Sequence, residues 1–197
     1  MKRILDIVFS TSAIIFFSPL LLLISFLIVI DSKGGVIYYQ TRVCKNNTDF
    51  NLLKFRTMKI NSDNHGLLTL GNRDPRITRV GYYLRKTKID EFPQLINIIK
   101  GDMSIVGPRP EVRKYVNMYN DAQKKALSVR PGLTDYASLA YINESEILST
   151  TNDPETVYIT KIMPHKLELN LHYIQNQNLI EDFKIIFKTI YLLLKRR

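Results

Sequence analysis

From Ile7 to Ile30 the chain carries no charged residue, and this run limits what the sequence can fold into more than any other feature. As a helix rising about 1.5 Å per residue, it is long enough to cross a hydrocarbon layer roughly 30 Å thick. A cleaved signal peptide would share the charged start at Lys2 and Arg3, but the apolar run is too long and no small-residue cleavage site follows it. Near its middle stands Ser18-Pro19, where proline removes a helical hydrogen bond and the serine hydroxyl can take up a freed carbonyl, so a kink is expected. Two readings follow: an ordinary spanning helix with a tolerated proline, or a re-entrant helix that dips in and returns. Basic residues on both flanks, Lys2 and Arg3 before it and Lys33, Arg42 and Lys45 after it, favour the re-entrant reading, which keeps both flanks on one side.

The remainder suits one catalytic unit. The 197 residues are 45% hydrophobic, enough for a packed core. A net charge of +10 favours anionic partners without choosing among nucleic acid, lipid headgroups and phosphorylated small molecules. A single cysteine, Cys44, excludes an internal disulfide, and His65, His165 and His172 form no zinc spacing with it. The organisation reads as α+β, with a membrane segment over residues 1–32 followed by one folded unit over 33–197.

Val36–Val43 and Phe50–Met58 are rich in β-formers and separated by a polar turn at Lys45–Asp49, which predicts a hairpin. Ile60–Asn72 reads as a mobile loop over the site. Helices are expected over Gly81–Lys86 and over Asp90–Lys100, the latter with Pro93 in its first turn and Gly101 as its stop, and an amphipathic helix over Glu111–Val129. The tail, Leu179–Arg197, sets Phe183, Ile186, Phe187, Ile190 and Leu194 beside basic residues, the pattern of an interfacial helix or of one packed on the core.

Adjacent carboxylates at a helix start are more often caps than catalysts, but the surroundings of Asp90-Glu91 differ. Arg76, Arg79, Arg85, Lys86 and Lys88 lie upstream, and downstream Gly107-Pro108-Arg109-Pro110 holds one guanidinium between two rigid prolines. Arginine grips phosphate oxygens bidentately, and the flanking prolines aim the fork before a ligand arrives. Among such cations Asp90 is expected to stay ionised, as a nucleophile or a Mg²⁺ ligand must. No Walker loop, Rossmann fingerprint, serine triad or HExxH site is present.

Lys54-Phe55-Arg56-Thr57-Met58, Asp90-Glu91-Phe92-Pro93-Gln94-Leu95 and the string from Gly101 to Pro110, with Ser18-Pro19 and Arg130-Pro131-Gly132, together resemble the bacterial sugar transferase family, the monotopic phosphoglycosyl transferases. The resemblance implies a re-entrant membrane-anchoring helix over residues 1–32, broken at Ser18-Pro19, and a cytosolic catalytic domain over 33–197 with a C-terminal interfacial helix. It also implies transfer of a sugar 1-phosphate from a UDP-sugar to undecaprenyl phosphate with release of UMP, in the presence of Mg²⁺, at the cytoplasmic face of the bacterial inner membrane. On that resemblance Asp90 is the nucleophile and a metal ligand, and Glu91 its partner. Arg85 and Arg109, with Pro108 in the same loop, hold phosphate or nucleotide, and Lys54, Arg56 and Arg130 are further binding candidates.

Many members carry glycine after the Arg-Pro-Gly-Leu/Ile-Thr run, whereas here Asp135-Tyr136-Ala137-Ser138 follows Thr134, a stretch that bears on which sugar is accepted. The chain reads as the minimal catalytic form. Direct Mg²⁺-assisted displacement without a covalent intermediate is the alternative within the enzyme class, and a non-catalytic basic scaffold on the membrane surface the alternative outside it. Nucleic acid is not expected as a partner, because no recognition motif accompanies the charge. A homo-oligomer is left open.

Overall fold

The structure, a computed structural model, describes residues 1–60, 62 and 74–195. The loop expected over Ile60–Asn72, His65 included, falls almost wholly outside the described residues, as do Arg196 and Arg197. In chain order the elements are α1 (Lys2–Asp31), β1 (Ile37–Val43), β2 (Asp49–Phe55), α2 (Arg79–Thr87), α3 (Gln94–Lys100), β3 (Ser104–Val106), α4 (Arg113–Val116), β4 (Gly132–Thr134), α5 (Tyr136–Ala140), α6 (Glu144–Ser149), α7 (Pro154–Val157), α8 (Met163–Gln175) and α9 (Leu179–Lys195). The α+β expectation stands: helices surround two small two-stranded sheets.

Among the described residues α1 is the one helix long and apolar enough to cross a membrane. Its helical run continues through Ser18-Pro19. Pro19 has no N–H for the Ile15 carbonyl, and the Ser18 hydroxyl donates to that carbonyl at 2.8 Å instead. Along one face, at three- and four-residue intervals, Asp6, Ser10, Ile24 and Ile28 are buried, while Ala13, Ile14 and Leu21 pack on the domain. The Phe17 ring meets Phe92 edge-on at 5.3 Å. Phe9, Ile15, Phe16, Leu22, Phe26 and Ile30 are exposed on the rest of the surface.

Both ends of α1 are fixed to the same body. At its start Lys2 Nζ donates to the Val106 carbonyl (2.9 Å) and the Tyr173 hydroxyl (2.7 Å) and pairs with Asp182 at 2.9 Å. Arg3 donates to the carbonyls of Ile98 and Ile99 at the C-terminal end of α3, where a cation suits the helix dipole. Asp6 accepts from the Ser104 hydroxyl and the Ile105 backbone. At its far end Asp31 accepts from the Val80 N–H at 2.9 Å.

The hairpin forms as expected, with Ile37 opposite Phe55 and Val43 opposite Asp49. Its turn uses Asn46 and Asn47 with φ of 59° and 61°, a conformation asparagine tolerates better than most residues. α3 is tied to β2 by Asn97, whose side chain accepts from Leu53 N–H and donates to the Asn51 carbonyl. It ends at Gly101, φ 102°, the expected stop.

Two helix expectations are corrected. Asp90-Glu91 does not open the helix that ends at Gly101: Ile89–Glu91 forms a separate 3₁₀ turn, and α3 begins at Gln94. Pro93 has no N–H to offer the Ile89 carbonyl, which takes Phe92 N–H in 3₁₀ register at 3.1 Å. The helix expected over Glu111–Val129 is two pieces, α4 and a 3₁₀ stretch over Gln123–Ser128. Asn120 and Gln123 exchange side-chain bonds with each other's backbone N–H, a reciprocal cap that starts a new segment where the periodicity predicts continuation. In α9 Asp182 and Ile185 are buried against the domain, as the core-packed reading expects, while Phe183, Phe187, Ile190 and Leu194 remain exposed.

Candidate active site

Two backbone arrangements place the candidate side chains. β3 and β4 pair in parallel, Ser104 with Gly132 and Val106 with Thr134. Just beyond, Gly107 and Gly132 lie so close that a Cβ on Gly107 would stand 2.5 Å from the Arg130 carbonyl oxygen. Glycine is needed there for close approach. The contact, with Gly132 N–H donating to the Pro108 carbonyl at 2.9 Å, fixes the Pro108-Arg109-Pro110 loop. Asp135, fully buried, accepts from the backbone N–H of Arg109 at 2.9 Å and caps α5 through Ser138 N–H at 2.6 Å.

The second arrangement is at α2. It ends with Lys88 in the left-handed region (φ 59°), which turns the chain sharply into the 3₁₀ turn holding Asp90 and Glu91. Both carboxylates are buried. Glu91 is ion-paired with Arg109, and Lys54 on β2 approaches the same oxygen at 3.4 Å. Arg109 also donates to the Leu133 carbonyl. Oδ1 of Asp90 is enclosed without a hydrogen-bond partner.

The pair is electrostatically split. Burial, the largest influence on Glu91, would raise its pKa, but Arg109 and then Lys54 hold it far below the usual carboxylate range. Glu91 in turn raises the pKa of Arg109 against the opposing effect of burial. Burial brings Lys54 down to about 8 although Glu91 opposes the change. For Asp90 burial and then the Glu91 carboxylate push the pKa up, against Lys54, Lys88 and Arg85. This reverses the direction expected from the surrounding cations, because a charge count omits the cost of removing the carboxylate from water.

Beside the pair opens a cavity of about 870 Å³. Arg42, Arg85, Lys88, Glu91 and Arg109 form a charged part of its wall, and Phe9 and Ala13 of α1 with Phe183, Phe187 and Ile190 of α9 form an apolar part. Arg85 makes no side-chain hydrogen bond to a described residue and so keeps its donors for a ligand. Glu91, Arg85 and Arg109 thus share the cavity wall, and Asp90 and Lys54 lie next to Glu91 without being among the lining residues.

Two sequence candidates lie elsewhere. Arg56 is buried with its guanidinium on the carbonyls of Ile28, Ser32 and Lys33, where it caps the end of α1. Arg130 donates to the Gly101 carbonyl at 2.9 Å, at the end of α3, and is not part of the cavity wall. Arg76, upstream of the pair, is bound by Asp74 at 2.6 Å. Pro108 contributes through its carbonyl and its rigid ring.

Sequence reasoning missed Arg42, which holds the Pro110 carbonyl and Glu111 Oε1 at 3.1 Å each, and Asp135 as the support of Arg109. No local pattern announces Arg42, whose partners lie about seventy residues away. Asp135 stands out in the sequence as a departure from glycine in a stretch that bears on the sugar, and the structure encloses it fully.

The profile of the bacterial sugar transferase family matches residues 1–196. A protein 40% identical over 192 residues is the UDP-N-acetylgalactosamine-undecaprenyl-phosphate N-acetylgalactosaminephosphotransferase of Aeromonas hydrophila, with 96% of this chain and 42% of that protein covered. An uncharacterized sugar transferase of Haemophilus influenzae is 36% identical, covering 100% of this chain and 41% of its own length. The chain thus spans about two fifths of the length of these two relatives. The UDP-glucose:undecaprenyl-phosphate glucose-1-phosphate transferase of Caulobacter vibrioides is 35% identical, covering 96% of this chain and 68% of that protein. With the family profile matched from end to end around this buried carboxylate pair, the chain belongs to the bacterial sugar transferase family.

Proposed function

We propose that this chain moves a sugar 1-phosphate from a UDP-sugar to undecaprenyl phosphate, releasing UMP, at the start of cell-surface glycan synthesis. The observation that carries the reading is the Asp90-Glu91 pair, buried among Lys54, Arg85 and Arg109 beside a cavity that is charged on one part of its wall and apolar on another. A diphosphate needs the first and a prenyl chain the second. The names of the Aeromonas and Caulobacter relatives support the same transfer.

In the first step a carboxylate oxygen of Asp90 attacks the phosphorus that bears the sugar. The bond from that phosphorus to the bridging oxygen breaks, and UMP leaves with the electron pair. In the second step an oxygen of the acceptor phosphate attacks the same phosphorus and displaces the Asp90 carboxylate, giving the lipid diphosphate sugar. Arg109 and Arg85 hold the phosphate oxygens, while Glu91 keeps Arg109 aimed and orients the acceptor phosphate.

Among the described residues no three His, Cys, Asp or Glu side chains gather into a metal cage. Mg²⁺ commonly binds through one or two carboxylates together with substrate phosphates. The partnerless carboxylate of Asp90 fits that role, and the ion would neutralise charge on the transferring phosphoryl group.

Lys2, Arg3 and Asp6 at one end of α1 and Asp31 at the other all bind the same domain, which supports a re-entrant helix with both flanks on the cytoplasmic face of the inner membrane. The exposed apolar faces of α1 and α9 would lie in the lipid. UMP release from UDP-sugars by detergent-solubilised protein with polyprenyl phosphate tests the function. Asp90→Asn should lower the rate at least about a thousandfold with folding intact, and an unchanged rate would refute the assignment.

A further inference from the structure

α2 is the element that leads into Lys88 and the Asp90-Glu91 turn, and it is seated against α1. Val80 and Leu84 on its inner face pack with Leu21, Ile24 and Ile28 of α1. Gly81 passes the backbone of Thr57 so closely that a Cβ would stand 2.1 Å from the Thr57 carbonyl oxygen. The outer face is left to the surroundings: Tyr83 is 68% exposed and Tyr82 37%, and their rings meet edge-on at 5.4 Å. Arg79 and Lys86 are exposed on the same helix.

Three features of this face match the boundary between a bilayer and water. The stretch of α1 on which α2 packs exposes Leu20, Leu23, Phe26 and Leu27 on its other sides, so lipid that covers α1 borders α2 as well. Tyrosine rings, apolar in body and polar at the tip, concentrate where a bilayer meets water. From Pro75 to Ile89 the sequence has five basic residues and no carboxylate. Of these, Arg76 is bound by Asp74, and Arg85 and Lys88 line the cavity, which leaves Arg79 and Lys86 for the outer surface. Long basic side chains beside an apolar surface reach to anionic headgroups.

We infer that Arg79, Tyr82, Tyr83 and Lys86 form a further membrane-binding surface, which seats α2 in the interfacial layer of an anionic bilayer. The inference rests on α1 being a membrane helix and adds an element outside its apolar run. α2 ends at Lys88, and the left-handed turn there leads directly into the 3₁₀ turn that holds Asp90. A seat at headgroup depth therefore sets the carboxylate pair where the phosphate of a lipid-linked acceptor lies.

The chain contains no tryptophan, so single-tryptophan variants of the full chain report the depth of one position at a time. Tyr83→Trp and, on α1, Phe26→Trp are reconstituted in phosphatidylcholine–phosphatidylglycerol vesicles, with and without bromine on the upper part of the acyl chains. Tyr83→Trp should lose at least about half of its emission to the brominated lipid. Adding Arg79→Glu and Lys86→Glu should reduce that quenching at least about twofold. Unquenched Tyr83→Trp beside quenched Phe26→Trp would overturn the proposal. Shielding of Tyr83→Trp from aqueous acrylamide without bromine quenching would also overturn it, and would give the face to a protein partner. Quenching indifferent to the charge reversals would refute the role of Arg79 and Lys86. If Phe26→Trp itself is unquenched, the membrane reading of α1 fails, which the other outcomes leave standing.

Discussion

Asp135 accepts a hydrogen bond from the backbone N–H of Arg109 at 2.9 Å from a position with no solvent exposure. The same carboxylate caps α5. One buried side chain thus fixes both the Pro108-Arg109-Pro110 loop and the start of α5.

Replacing it by alanine strands two buried N–H groups, so Asp135→Ala should lose about 2–4 kcal/mol of stability. Asp135→Asn keeps one acceptor oxygen and should lose less. Chemical denaturation in detergent measures both, and equal losses would show that acceptor capacity is not what matters.

The Glu91–Arg109 pair should behave as a coupled unit. Glu91→Gln strands Arg109 and Lys54, and Arg109→Met strands Glu91 beside Lys54. Each should cost about 3 kcal/mol, the low end for a buried pair because the Arg109 side chain keeps 28% exposure. The double variant should cost at least about 1 kcal/mol less than the two losses added together. Simple additivity in a double-mutant cycle would contradict a direct interaction.

Lys54 gives stability a defined pH dependence. Its pKa in the folded protein is about 8, against about 10.4 for a free lysine. Between these values the unfolded chain holds the extra proton, so stability rises with pH through that window, as the buried amine sheds a charge that burial disfavours. Wild type should therefore gain in melting temperature relative to Lys54→Met as pH increases from about 8 towards 10. A constant difference would mean that the amine is not desolvated.

Arg56 should prove structural. Because it binds carbonyls at the end of α1, Arg56→Ala should lower the melting temperature and leave KM for the UDP-sugar within about twofold in the folded fraction. A large rise in KM at unchanged stability would return it to the binding site.

Much of this was legible in the sequence because the signals were local. The Ser18 bond beside Pro19 and the Gly101 stop act through neighbours three or four residues away, the hairpin strands pair across a short turn, and the bond, the hairpin and the stop appear where expected. The Asp90-Glu91, Arg85 and Arg109 constellation came from motif spacing, and the fold brings it together. What failed depended on distant partners or on burial. Arg56 and Arg130 bind helix-end carbonyls that no linear pattern reveals. The Asn120–Gln123 cap interrupted a clean amphipathic period, and desolvation reversed the pKa direction of Asp90.

The covalent step at Asp90 is tested most directly by intact-protein mass spectrometry of the detergent-solubilised chain with Mg²⁺ and single UDP-sugars, without lipid acceptor. A mass increase of one sugar phosphate with the accepted donor, absent in Asp90→Asn, is the predicted result. No adduct with any donor, despite UMP release once polyprenyl phosphate is added, would contradict the Asp90 nucleophile and point to direct displacement.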